Sequence, residues 1–245
     1  MAIHEQENIL WEEWAGTYPA QERENFVMDG LCHNGPLCNE GWNARPGNEE
    51  ELWEKAQRKV LFLIKDPNCN LREDYRHGLG GITHKFFKTL FNWLQGLSEI
   101  RLGFTPLLED GFYHEPANQA MLKYPLAIVN VKKIFSGASV GNLTLREYAG
   151  RDAAFIRWQV RGILSPNIVV CGNGSGSLLN IAEESIYPDL TFSPINSWCH
   201  YCETPELLLI DSWHPSSRIP DSQKIDGMMR VVAGFIAQTH ADIFR

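Results

Sequence analysis

The segment Lys59 to Asn68, KVLFLIKDPN, constrains the fold more than any other part of the chain. Its five consecutive apolar residues, Val60 to Ile64, are too few for a buried helix and are rich in strand formers. Such a run is a strand buried on both faces, the kind found in the middle of a parallel sheet. Proline at 67 stops it and leaves the Asp66 carboxylate at its C-terminal end. In open α/β sheets that end is where ligands bind. Two more runs of the same kind follow, PLAIVNV (Pro125 to Val131) and NIVVC (Asn167 to Cys171). A fourth, LLLIDSW (Leu207 to Trp213), leads into His214-Pro215-Ser216, and LTFSPI is a lesser strand.

Helical patterns separate these runs. Asn48 and Glu51 make an N-cap and N3 pair ahead of ELWEKAQ. A helix is expected from Thr83 to Leu97, with Phe86, Phe87, Leu90, Leu94 and Leu97 on its apolar side. Thr144 and Glu147 read as a capping box opening a helix to Ile163, and a closing helix spans Asp221 to Ala241. Gly172-Asn-Gly-Ser-Gly is a tight strand-to-helix turn. Alternating strands and helices imply a mostly parallel sheet with helices on both faces, a three-layer α/β/α fold. The expectation is one α/β domain over residues 1–245. Residues 1–58 form a helical and loop extension packed on a 59–245 core. In that extension Ile9, Leu10 and Trp14 share a helical face, and Gly30 to Gly47 is a loop over the body.

A formal charge of −8 argues against a sequence-independent nucleic-acid coat, which depends on surplus Lys and Arg. Local clustering of Lys65, Arg72, Arg76, Lys85, Lys88, Lys132, Lys133 and Arg218 beside the strand ends would still make a cationic mouth. No run approaches the roughly 20 apolar residues of a membrane span. The start, MAIHEQENILWEEW, is no signal peptide, so a cytoplasmic protein without a membrane partner is expected. Six cysteines in such a chain are expected as reduced thiols. Cys199 and Cys202 form a CxxC that, with Cys32 and Cys38, would be the residues to hold zinc or an iron–sulfur cluster. Unlinked thiols, no metal and no cofactor are the expectation.

Asp66, Asn130 and His214 each stand at the C-terminal end of an expected parallel strand. If the strands are neighbours, a carboxylate that can orient water, an amide that can read a heterocycle edge and an imidazole that can stabilise a charged oxygen converge on one crevice.

The order DPN, AIVNVKK, NIVVCG and WHPSSR over residues 58–240 resembles the uracil-DNA glycosylase superfamily. The resemblance implies that fold and the hydrolysis of a nucleobase N-glycosidic bond, most simply uracil excision from DNA. It gives Asp66 the attacking water, Asn130 the Watson–Crick edge of a flipped pyrimidine, and His214 the charge on the departing base. Pro215, Ser216, Ser217, Arg218 and Lys132 would meet the DNA backbone. Asn68, where members usually carry glycine or tyrosine, and Tyr75 would add base contacts, with His77 and Phe86 as further aromatics for stacking. The alternative is a non-catalytic protein that binds a nucleotide or nucleic acid on the same fold. A metal-dependent hydrolase using Asp66, His214 and Cys199 or Cys202 is a third reading.

Overall fold

The computed structural model describes residues 1–38, 43–67, 74–77, 85–113, 119–135, 140–172 and 176–245. Its strands are β1 (Gly30–Leu31), β2 (Leu37–Cys38), β3 (Asn43–Ala44), β4 (Val60–Ile64), β5 (Leu126–Asn130), β6 (Ile168–Gly172), β7 (Ser193–Pro194), β8 (Cys199–Cys202) and β9 (Leu207–Ser212). β2 and β3 pair with each other, and the rest form one sheet of order β1-β5-β4-β6-β9-β8-β7. Its middle four strands, β5, β4, β6 and β9, run parallel. β1, β8 and β7 join antiparallel at the sides.

The helices are α1 (Ile3–Gly16), α2 (Ala20–Arg23), α3 (Glu49–Lys55), α4 (Lys85–Glu99), α5 (Gln119–Lys123), α6 (Asn142–Arg151), α7 (Ala153–Arg157), α8 (Ser177–Ile181) and α9 (Asp221–Thr239). π-Helical turns at Trp158–Leu164 and Ala182–Ile186 continue α7 and α8. Every residue of β4 is buried, and its side chains alternate between two cores. Val60, Phe62 and Ile64 pack with α4 and α9. Leu61 and Leu63 pack with α1, α6 and the first π-helical turn. Helices therefore cover both faces, and continuous apolar runs are the only strands such a sandwich admits. No helix among the described residues is long and apolar enough to cross a membrane.

The four expected strands occur at their expected places, and three local expectations are corrected. Ile9 is exposed, and the buried face of α1 is Ile3, Leu10, Trp11 and Trp14 instead. Thr144 and Glu147 make no capping box: the helix starts after Gly141 and breaks at Asp152, whose carboxylate accepts from Tyr18 Oη at 2.5 Å. Asn48 caps α3 without a side-chain bond to its helix, because its Oδ1 accepts from Asn34 Nδ2 at 2.9 Å.

Within the N-terminal segment, β1 extends the sheet, pairing with β5. Gly30 has φ +145°, and a Cβ there would lie 1.7 Å from Glu7 Oε1, so only glycine lets α1 approach this strand. The preceding residue, Asp29, is fully buried. Its Oδ2 accepts from the backbone N–H of Asn130 at 2.9 Å and from Asn130 Nδ2 at 2.8 Å. Its Oδ1 accepts from the Lys133 ammonium and from Gln159 Nε2, the latter at 3.1 Å. Lys133 is equally buried, donates to Gln159 Oε1 at 3.0 Å and lies over the Trp14 ring. Removing one partner of a buried pair strands the other charge, which typically costs about 3–5 kcal/mol. Asp29→Ala should therefore lower the unfolding free energy by about that amount in a urea titration, far more than an exposed change such as Glu12→Ala.

Candidate functional site

Parallel strands in matching register end together. Asn130 pairs with Ile64, Leu63 with Cys171, and Gly172 with Ser212. Asn130, Ile64, Gly172 and Ser212 thus form one row across the C-terminal edge of the sheet. Asp66 and His214 each stand two residues beyond it. Neighbouring strands lie about 4.8 Å apart, so two steps, from β4 across β6 to β9, separate their chains by about 10 Å. From β4 the chain goes first to β5 on one side and then to β6 on the other. At that reversal the connections leave in opposite directions, the place between β4 and β6 where open α/β sheets commonly form a ligand crevice.

The loop carrying His214 folds inward over β6. A Cβ on Gly172 would lie 3.4 Å from Pro215 Cδ and 3.7 Å from Ile64 Cγ2, so Pro215 packs on the bare glycine beside the β4 tip. From below, the buried ammonium of Lys224 donates to the Pro215 carbonyl at 3.1 Å and to Thr89 Oγ1 at 3.2 Å, and pairs with Asp221 at 3.1 Å. One cation thereby ties α9 and α4 to the His214 loop. The backbone N–H of Ser216 donates to His214 Nδ1 at 3.1 Å. Nδ1 accepts, so in the neutral ring the proton sits on Nε2. Burial lowers the His214 pKa, and the charges of Lys65 and Lys224 lower it further. A neutral imidazole with an N–H free to donate is the result. The Phe86 ring lies 5.9 Å from it, tilted by 46°.

Asp66 is half-buried. Burial raises its pKa, against the opposing pull of Lys132 and Lys65. Asn130 is fully buried, and Asp29, an acceptor only, fixes which end of its amide is nitrogen. Its Oδ1 has no hydrogen-bond partner among the described residues, in a protein interior where such acceptors are rarely left unpaired.

The remaining expected site residues divide. Pro215 is buried, Ser216 and Arg218 are exposed, and Ser217 is half-buried with its N–H donating to the His214 carbonyl at 2.8 Å. Lys132 is not at a DNA-facing rim: it is buried, its ammonium donates to the Ile134 carbonyl, and it lies 5.1 Å from the Tyr148 ring. Lys133 and Arg76 are buried too, so three of the eight cations expected at the mouth serve the interior. Tyr75 is half-buried, and its N–H donates to the Met28 carbonyl at 2.8 Å, beside Asp29 and the β1 side of the sheet. Phe86 is the expected aromatic that reaches His214. Asn68 lies outside the described residues.

Cys199 and Cys202, the pair named as candidate metal ligands, do not come together. They are three apart on strand β8, an odd spacing that sends them to opposite faces. Cys199 lies in the core under α4 and α9, and Cys202 in the other core. They cannot share an ion, and neither reaches the crevice to serve a hydrolase with Asp66 and His214. Cys32 is a buried free thiol packed with Cys199's core. Cys38 belongs to β2, outside the main sheet. A surface cleft of about 680 Å³ beside β7 and β8, lined among others by Tyr201, Glu203 and Thr239, contains none of the strand-tip residues.

Asp29 and Lys224 went unread in the sequence. Asp29-Gly30 has the form of a turn. Lys224 did leave a signal: a lysine on the same stripe of α9 as Met228 and Val232, all three buried.

Comparison with protein-family models found no match, and comparison with curated proteins found no similar protein.

The lowered His214 pKa has a sign that can be checked. Below the ordinary histidine value of 6.5 the unfolded chain takes up a proton that folded His214 refuses. The unfolded state then binds more protons, so stability falls as pH drops from 6.5 toward the folded pKa. Urea titrations of the wild type and His214→Gln between pH 7 and pH 5 should show a shallower decline in the variant; parallel declines would contradict the assignment.

Proposed function

We propose that the crevice binds a nucleobase–sugar unit and hydrolyses its N-glycosidic bond, with uracil in DNA the simplest substrate. The observation that carries this reading is that Asp66 and His214 each follow by two residues the matched ends of β4 and β9, on either side of β6, while Asn130 Oδ1 at the end of β5 has no hydrogen-bond partner among the described residues. As carboxylate, Asp66 orients a water and favours positive charge on the sugar, and the nearby charges of Lys132 and Lys65 favour that form against burial. Water oxygen bonds to the anomeric carbon as the carbon–nitrogen bond breaks. The bonding pair leaves with the base, and the water's proton passes to Asp66. His214 Nε2–H donates to the pyrimidine oxygen on which negative charge collects, without itself losing its proton. Asn130 Oδ1 accepts from a ring N–H, and its second amide hydrogen remains for the adjacent carbonyl; cytosine, with an unprotonated ring nitrogen there, offers the wrong pattern.

Free uracil should be released from a uracil-containing oligonucleotide in low salt, fastest from single-stranded or mismatched sites, where unstacking costs least. Asp66→Asn and His214→Ala should each slow release by about 100-fold or more with the chain still folded. Activity should fall on the acid side, where His214 and Asp66 take up protons, and hold on the alkaline side. Unchanged rates in both variants would place the chemistry elsewhere.

Burial of Lys132, Lys133 and Arg76 supports a second reading, a protein that holds a small nucleotide-like ligand without turnover. A rise in melting temperature with nucleotides, absent any release of base, would favour it.

A further inference from the structure

We propose that His4, His33 and Glu49 form a binding site for one divalent transition-metal ion of the zinc class, which ties α1, the chain after β1 and α3 together within the N-terminal segment. The three side chains come from separate places: the first turn of α1, the chain just after β1, and the first residue of α3. One donor atom from each lies within 4.8 Å of the other two. Two donors each about 2.1 Å from a shared tetrahedral ion sit about 3.4 Å apart, so side-chain adjustments of about 1 Å close the set.

His33 is only 3 % exposed, and its Nδ1 has no hydrogen-bond partner among the described residues. Its ring meets that of His4 at 4.6 Å and that of His77 at 4.5 Å, so this imidazole sits inside a cluster of ligand-type groups. His4 Nε2 lies 2.9 Å from Glu49 Oε1, where a proton now joins two atoms that would both ligate an ion. Glu49 is itself buried; its other oxygen accepts from the N–H groups of Gly47 at 2.8 Å and Asn34 at 3.3 Å, which fixes the carboxylate. Behind His4, Nδ1 stands 3.4 Å from Glu7 Oε2, the carboxylate–histidine arrangement that orients a metal-bound imidazole. Arg76 Nη1 lies 3.0 Å from the same Nδ1 and also donates to Glu7 Oε2 at 3.4 Å, while Arg76 Nε and Nη2 keep their bonds to Asp74 and Asn8 when that nitrogen carries a proton for Glu7.

Charge points the same way. The carboxylates of Glu7 and Asp74 pair with the Arg76 guanidinium and that of Glu49 lies against His4, so three carboxylates gather around one fixed cation, and a divalent ion adds charge of the sign they lack. Two nitrogens and one oxygen suit zinc, cobalt or nickel, whereas calcium and magnesium want oxygen throughout. Glu50 Oε1, 4.0 Å from His4 Nε2, is a further oxygen beside the set.

The test uses untagged full-length protein stripped with a chelator, gel-filtered after exposure to zinc, and analysed for metal. One zinc per chain and a raised melting temperature are expected. His33→Ala and Glu49→Gln, folded by circular dichroism, should bind at least about tenfold more weakly. Cobalt in place of zinc should give d–d bands without a thiolate charge-transfer band. No stoichiometric zinc in the wild type, equal binding in folded variants, or a thiolate band, which would move the ion to Cys32 or another cysteine, would each overturn the proposal. The wild-type stoichiometry and cobalt spectrum decide the matter even if a variant fails to fold.

Discussion

Backbone pairing among four parallel strands governs where every reactive group stands. A parallel ladder is uniform, so once Ile64 is opposite Asn130 and Gly172 opposite Ser212, the residues that follow each strand emerge at matched heights. Slipping one strand by a single residue would turn its side chains to the wrong core and lower its tip by about 3.3 Å. The cost of that slip, borne by fully buried Val, Ile and Leu side chains on both faces, keeps Asp66 and His214 level.

Strand tips need more than strands to hold them, and here buried lysines do much of that work. Lys224 binds the Pro215 carbonyl, Lys132 the Ile134 carbonyl, and Lys133 the Asp29 carboxylate. Taking an ammonium out of water is expensive, so each is surrounded by carbonyl, hydroxyl, amide or carboxylate oxygens or an aromatic face. Such fully bonded groups fix geometry more tightly than apolar contacts, which tolerate sliding. They also use up cations that a nucleic-acid surface would otherwise display.

Residues 1–58 are continuous with the core. Trp53 Nε1 donates to the Leu164 carbonyl at 2.7 Å, and α1 supplies Trp11 and Trp14 to one of the two cores. Asp29 holds the amide of Asn130 in one orientation. A segment that reads as an appendage thus extends the sheet and orients Asn130 at its C-terminal edge.

Local pattern alone determined the four central strands, their alternation with helices, and the polar residues at three of the four tips. Short, continuous apolar runs have few other places to go in a layered fold. The helix break at Asp152 was not legible, because Tyr18, over a hundred residues away in the chain, competes for that carboxylate. Nor was the fate of the cations: Lys132, Lys133 and Arg76 look like surface residues until Asp29, Tyr148, Asp74 and Glu7 are brought beside them. The opposite faces of Cys199 and Cys202 likewise follow only from β8 being a strand, which a CxxC does not announce. Periodicity is a property of neighbours in the chain and can be read there; the burial and pairing of charge depend on neighbours in space, and only the folded chain supplies those.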